Sequence, residues 1–425
     1  MRRINADHLS TTPLDPRVRA AMLPHLGRNQ GNPSSLHQRG GAARAVVEEA
    51  RGEVAALLAC PAEEILFAGS ATEANNLAVK GIALAHPGGG RLVAAATEHL
   101  SILHPLRSLA KLGYEIILLP VDRHGRIDPT RLDRALAPGA ILASVAHASA
   151  EIGTLQPIAA LARVTRARGV PLHIDATASA GHVGLTADGA DLVTLTAHLF
   201  YGPQGTAALR VRTGVAIRPV IEGGTQEGGL RPGTEPVATL AGFGTAARIL
   251  LVERAERAAR AGRLAELFRR ALAGQLDGLT FTGHPRDRLP GHVSLCVAGV
   301  EAEAVIVALD AAGIEAASGS PCTTLARRAS HVLEAIGVDP ILARGALSFT
   351  FGEDNREGDP ASIAEALAAI VRRLRRLAPG ADEATDTPPR GTISRPIRRA
   401  ARARRRSESS GERGSTSAAD AGRRG

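Results

Sequence analysis

Short apolar runs recur between residues 63 and 210, each bounded by glycine, proline or polar turns. The runs at 64–68, 91–96, 115–120, 140–146, 171–175, 191–197 and 206–210 are nearly continuous in apolar character rather than alternating. That pattern predicts strands buried on both faces. Between several of them lie stretches with helical spacing, such as 72–85 and 158–168. Alternation of this kind predicts an α/β protein with a mostly parallel sheet and helices on both faces. Ligands in such sheets bind at the carboxyl ends of strands.

From Pro236 to about Leu276 an Ala/Arg/Leu-rich stretch predicts one long helix. Strand-like runs at 291–297, 314–317 and 346–351, with helical patterns at 302–312 and 362–377, predict a smaller C-terminal α/β domain. Periodicity stops at Pro379. Eleven arginines against three acids in 390–425 carry +8 of the chain's net +9, so the basicity belongs to this tail. The tail reads as a disordered, solvated extension. It has no aromatic residue for base stacking, which argues against a nucleic-acid arm.

Composition narrows the class further. No apolar run reaches the length of a membrane span. The opening MRRINADHLSTTP lacks an apolar signal core, so a cytoplasmic location is expected by default. HExxH, paired CxxC and GxSxG motifs are missing, so neither a metal site nor a hydrolase elbow is expected. Cys60 and Cys296 sit in apolar runs and read as core packing. Cys322 follows Ser318-Gly319-Ser320-Pro321, a setting that can expose a thiol. Only two lysines exist, Lys80 and Lys111, so amine chemistry has two candidates in the chain.

Four strand ends carry candidate chemistry. In EILFAGSATEANNLAVKG a turn of small residues leads into a helix, and Ala71 and Thr72 would offer N–H groups to a phosphate or simply cap the helix. Asp175 closes PLHID and either pairs with a pyridinium nitrogen or caps the next turn. Thr196 and His198 follow another strand. His99, in ATEHLSIL, is either functional or structural.

The motifs TTPLDPRV, GNPSSLH, SATE, TEH, EIG, IDAT, AHLFYGPQG, GLRPGTEP and SGSPC occur in an order and spacing that resemble the cysteine desulfurases, across residues 4–378. The resemblance implies the fold of the PLP-dependent (pyridoxal 5′-phosphate) transferases of fold type I. It implies a large cofactor domain at 16–255, a small domain of 1–15 with 256–378, and a tail from 379 to 425. It also implies a homodimer that passes sulfur to an acceptor or iron–sulfur scaffold protein. By the same resemblance Ala71, Thr72, Thr196 and His198 hold the cofactor phosphate, with Thr234 reaching in from a second subunit. Asp175 faces the pyridinium nitrogen, His99 stacks on the ring, and Cys322 receives the substrate sulfur as a persulfide.

Several positions depart from that pattern. Leu199 stands where the family has the lysine that holds the cofactor covalently. Ala150 stands where the family has an Asn that touches cofactor and substrate, Ala178 where it has a Gln or His on the cofactor's phenolic oxygen, and Ser348 replaces the arginine that grips the substrate carboxylate. Leu9 stands where a small polar residue is common, and Pro321 where alanine is usual. A charge-assisted contact is worth about 1.5–3 kcal/mol and a neutral one about 1 kcal/mol. The expectation is a desulfurase homologue unable, or barely able, to turn L-cysteine into L-alanine and an enzyme persulfide. Cofactor attachment is expected to be non-covalent and weak, or missing. Two alternatives stay open: a persulfide carrier that works through Cys322 without cofactor, and a working desulfurase by another route.

Overall fold

The computed structural model describes residues 2–28, 30–184, 189–319 and 330–377. Its centre is a seven-stranded sheet in the order β2-β8-β7-β6-β5-β3-β4. These strands are β2 (Ile65–Ala68), β3 (Arg91–Ala95), β4 (Glu115–Leu119), β5 (Ala140–Ala146), β6 (Leu172–Asp175), β7 (Leu192–Thr196) and β8 (Ala207–Val211). β4, β3, β5, β6 and β7 run parallel, whereas β8 is antiparallel to both β7 and β2. The mostly parallel expectation therefore holds, with one reversed strand near an edge.

Helices cover both faces of this sheet. α1 (Pro16–Met22), α2 (Gln38–Leu58), α3 (Ala71–Ala85), α4 (Leu100–Ala110), α5 (Pro129–Ala135), α6 (Ile158–Arg168) and α7 (Val237–Leu272) precede the second sheet. One core joins α2 and the first half of α7 to the sheet through Val47, Val54, Phe67, Val193 and Phe243. The opposite face packs α3 and α4 against Leu92, Ala94, Leu142 and Leu209. A strand between two helical layers has no solvent side, which is why these runs lack alternation.

A four-stranded antiparallel sheet, β12-β13-β10-β9, forms the second layer system. It comprises β9 (Leu279–Phe281), β10 (His292–Val297), β12 (Ala317–Ser318) and β13 (Ala346–Thr350). Phe268, Leu295, Phe349, Phe351 and Leu367 build its core between the end of α7 and the helices α8 (Ala302–Ala311) and α11 (Asp359–Leu377). The short helices α9 (His331–Ala335) and α10 (Pro340–Ala343) lie between β12 and β13 in sequence. The single strand expected at 314–317 is two: β11 (Ile314–Glu315) pairs with β1 (Ile4–Asn5), and β12 pairs with β13. The N-terminal chain thus closes onto the C-terminal region. Tyr201 fastens the join: its N–H donates to Thr12 Oγ1 at 2.6 Å, and its hydroxyl accepts from Glu353 N at 2.7 Å.

Candidate cofactor site

Three sequence-distant strand ends meet through one hydrogen-bonded chain. Asp175 closes β6 and is buried. One of its oxygens accepts from Thr177 N at 2.9 Å and the other from Asn75 Nδ2 at 2.8 Å. Asn75, on the buried side of α3, also donates to Ser101 Oγ at 2.9 Å. Ser101 Oγ lies 2.8 Å from His99 Nδ1, and the same ring nitrogen accepts from Ser101 N at 3.1 Å. A nitrogen that accepts an N–H carries no hydrogen of its own, so neutral His99 holds its proton on Nε2. His99, Ser101, Asn75 and Asp175 therefore link α4, α3 and β6. Asn75 and Ser101 were not singled out from sequence, because each looks like ordinary polar content of a helix.

The residues expected to hold a phosphate lie at the start of α3 and just past β7. Ser70 caps α3 by accepting from Glu73 N at 3.1 Å. Glu73 in turn accepts from Gly69 N at 2.8 Å and binds Arg231 at 2.8 Å. Ala71 and Thr72 occupy the first turn, where backbone N–H groups have no carbonyl four residues back. Thr234 is exposed, three residues beyond the tethered Arg231. On the neighbouring strand Thr196 ends β7, and its hydroxyl donates to Thr206 O at 3.0 Å. His198, in the turn that follows, lies 3.2 Å from Thr11 Oγ1 through Nδ1, and burial lowers its pKa. Cys322 lies outside the described residues.

The reacting end looks different. Leu199 is 7% exposed. Its carbonyl would meet a Cβ at Gly181 within 2.8 Å, so the glycine permits the close packing of two turns. Ala178 belongs to a small apolar cluster with Ala148 and Leu289, packed by Leu9, Leu155 and Val183. Ser348 and the Ala150 carbonyl both lie 3.2 Å from His292 Nε2. A carbonyl only accepts, so Nε2 carries the hydrogen, and burial pushes the His292 pKa down to about 3. Sequence reading missed His292, whose signal was a lone histidine opening a buried strand.

Buried polar atoms without partners test whether a ring-shaped ligand fits. Asn75 Oδ1, Thr177 Oγ1 and Glu98 Oε2 are buried and unpartnered among the described residues. Each belongs to, or directly adjoins, the Asp175–His99 chain. Burial, reinforced by the charge of Asp175, pushes the Glu98 carboxyl up to about 8 against the opposing Ala146 N–H. Orphaned groups at such density point to a polar occupant. Pyridoxal phosphate fits the side formed by Asp175, His99 and the α3 N-terminus. Leu199, which follows His198, offers no amine at this end of the site. A cavity of about 650 Å³ opens elsewhere, at the opposite ends of β5, β6 and β7, and holds none of the residues predicted for the site.

The aminotransferase class-V family profile matches residues 4–346. The chain belongs to that family. Cysteine desulfurase IscS 1 of Archaeoglobus fulgidus is 40% identical over 88% of this chain and 98% of its own length. Cysteine desulfurase IscS of Dictyoglomus turgidum is 38% identical over 89% of this chain and 97% of its own. Among solved structures, a NifS-like protein superposes with a TM-score of 0.82 at 28% identity, covering 87% of this chain and all of that one. A NifS-like protein from Rickettsia africae gives 0.77 at 28% identity, covering 88% and 99%. The chain is thus a class-V relative of the cysteine desulfurases with the α/β fold of PLP enzymes, as the motifs implied. Among the described residues no cluster could hold a metal ion, and no helix is long and apolar enough to cross a membrane.

Proposed function

We propose that this class-V protein keeps the cofactor-facing frame of a cysteine desulfurase and does not complete the lysine-dependent reaction. The observation that carries this is the buried Leu199 at the end of β7. Neither lysine can replace its amine. Lys80 lies nine residues past Ala71 on α3, about 13 Å along the helix axis. Lys111 caps the far end of α4, about 18 Å from His99 by the same rise. Both stand at the wrong ends of helices whose N-termini face the site.

Asp175 and His99 would hold the ring of pyridoxal phosphate, and Ala71, Thr72, Thr196, His198 and Thr234 its phosphate. When bound, the cofactor supplies an electron sink for bonds at an amino-acid carbon. Asp175 would keep its negative end toward the ring nitrogen, oriented by Asn75 and Thr177 N. His99 would present its Nε2 hydrogen. No residue here exchanges an amine, and Ser348 cannot form the forked contact of an arginine with a substrate carboxylate. The chain is proposed to work as a homodimer in sulfur metabolism, beside an acceptor or iron–sulfur scaffold protein, with non-covalent cofactor.

The test is sulfide release from L-cysteine with a thiol reductant and added PLP. The expected rate equals that of PLP alone. A rate clearly above it overturns the proposal.

A further inference from the structure

Arg288 sits in the turn between β9 and β10, and two of its three guanidinium nitrogens have no use in the fold. Nη1 points at Thr282 O and His284 O, at the long distances of 3.4 and 3.5 Å. Nε and Nη2 are buried and have no partner among the described residues. No carboxylate of the described residues lies within 4 Å of Arg288. Asp287, the adjacent acid, is spent on Arg126 at 2.7 Å. Arg269 adds a second cation nearby. It has no carboxylate within 4 Å among the described residues either, and it gives its Nη2 to His292 O at 3.0 Å.

A buried guanidinium without a counter-charge is among the costliest things a fold can hold. Burial, with Arg269 adding repulsion, pushes the Arg288 pKa down to about 9. The choice of unused atoms is informative. Nε and Nη2 carry the two parallel N–H bonds on one edge of the guanidinium plane, the edge that matches the two oxygens of a carboxylate. Residues 285–287, just before it in the chain, are exposed, and Arg288 as a whole is half-buried. We propose that Arg288 is the receptor for a small carboxylate ligand, held edge-on through Nε and Nη2 with Arg269 contributing charge. His292, four residues on, meets Ser348 and the Ala150 carbonyl. Leu289, the next residue, packs with Ala148 and Ala178, and Ala178 lies three residues past Asp175 in the chain. The receptor does not depend on the reading of Leu199, since it concerns a different side chain and is tested without cofactor.

The experiment is thermal unfolding of the full chain in sodium acetate and, separately, in L-alanine, each against sodium chloride of equal ionic strength. Acetate reports a carboxylate site; a response at lower concentration to L-alanine assigns it to amino acids. Either carboxylate is expected to raise the midpoint saturably, with no such rise in chloride. Arg288→Met is expected to melt higher than the parent in chloride, because an unpaired buried charge is gone, and to lose the carboxylate response. Arg288→Lys keeps charge without the forked edge and is expected to need about tenfold more carboxylate, the cost of one charge-assisted bond. An equal rise in chloride overturns the proposal. So does a carboxylate response that survives in Arg288→Met, or one unchanged in Arg288→Lys if the methionine variant fails to fold.

Discussion

Leu199 packs where the turn after β7 crosses Gly181 through its backbone carbonyl, and an unbranched lysine would share that backbone path. Leu199→Lys is therefore expected to fold and to gain a buried amine, which desolvation keeps partly neutral and nucleophilic. PLP with borohydride should then label residue 199. Sulfide release should stay at least about 10-fold below that of a family member with all these positions intact, because Ser348 and Ala150 still lack substrate contacts worth about 1.5–3 and 1 kcal/mol. Full turnover in the single variant would show that those positions matter less than their chemistry suggests. Glu98 gives a second test at this scale. Its folded pKa, about 8, exceeds the ordinary value of about 4.3, so the folded state binds the extra proton. The stability it contributes is complete below about pH 4 and is lost as pH rises through about 8. Glu98→Gln should flatten the fall in melting temperature across that window, measured on protein without cofactor. An unchanged pH slope would remove Glu98 from the account.

Elements were more legible than sites. The run at 140–146 is β5 to the residue, and 158–168 is α6, because a continuous apolar run and a 3.6-residue apolar spacing are both local signals. Helix α2 was not predicted, since QRGGAARAVVEEARGEVAALL mixes glycines and charges; what settles it is burial of Val47, Val54 and Leu58 against α7. Asp175, His99 and Thr196 were visible as strand-end polar residues. Asn75, Ser101 and His292 were not, because the contacts Asn75–Ser101, Asn75–Asp175 and His292–Ala150 span 26, 100 and 142 residues of sequence. Edge geometry also depends on a remote pair. Glu64, just before β2, binds Arg210 of β8 at 2.7 Å and accepts from Thr213 N at 2.9 Å, and both side chains are 7% exposed. Glu64→Ala would take this buried carboxylate away from Arg210 and break the pair. A loss of about 3–5 kcal/mol in urea unfolding is expected. A loss under about 1 kcal/mol, the size of an exposed pair, would contradict the burial.

At the scale of the whole molecule, the first 36 residues carry four exposed leucines: Leu14, Leu23, Leu26 and Leu36, the last 98% exposed. Exposed apolar groups mark an interaction surface where they form one patch. They agree with the proposed homodimer, in which Thr234 would serve a partner's phosphate site. Light scattering is expected to give twice the 43.9 kDa chain mass, and Leu23→Glu with Leu36→Glu to halve it. A monomeric parent would remove the role proposed for Thr234. The central claim is that a desulfurase frame persists without an amine to bind its cofactor. The most direct measurement is to incubate the purified protein with PLP, reduce with borohydride, and map the pyridoxyl label by peptide mass. The account predicts no stoichiometric label on any peptide, with free PLP recovered on denaturation. A stoichiometric label on Lys80 or Lys111 would contradict it.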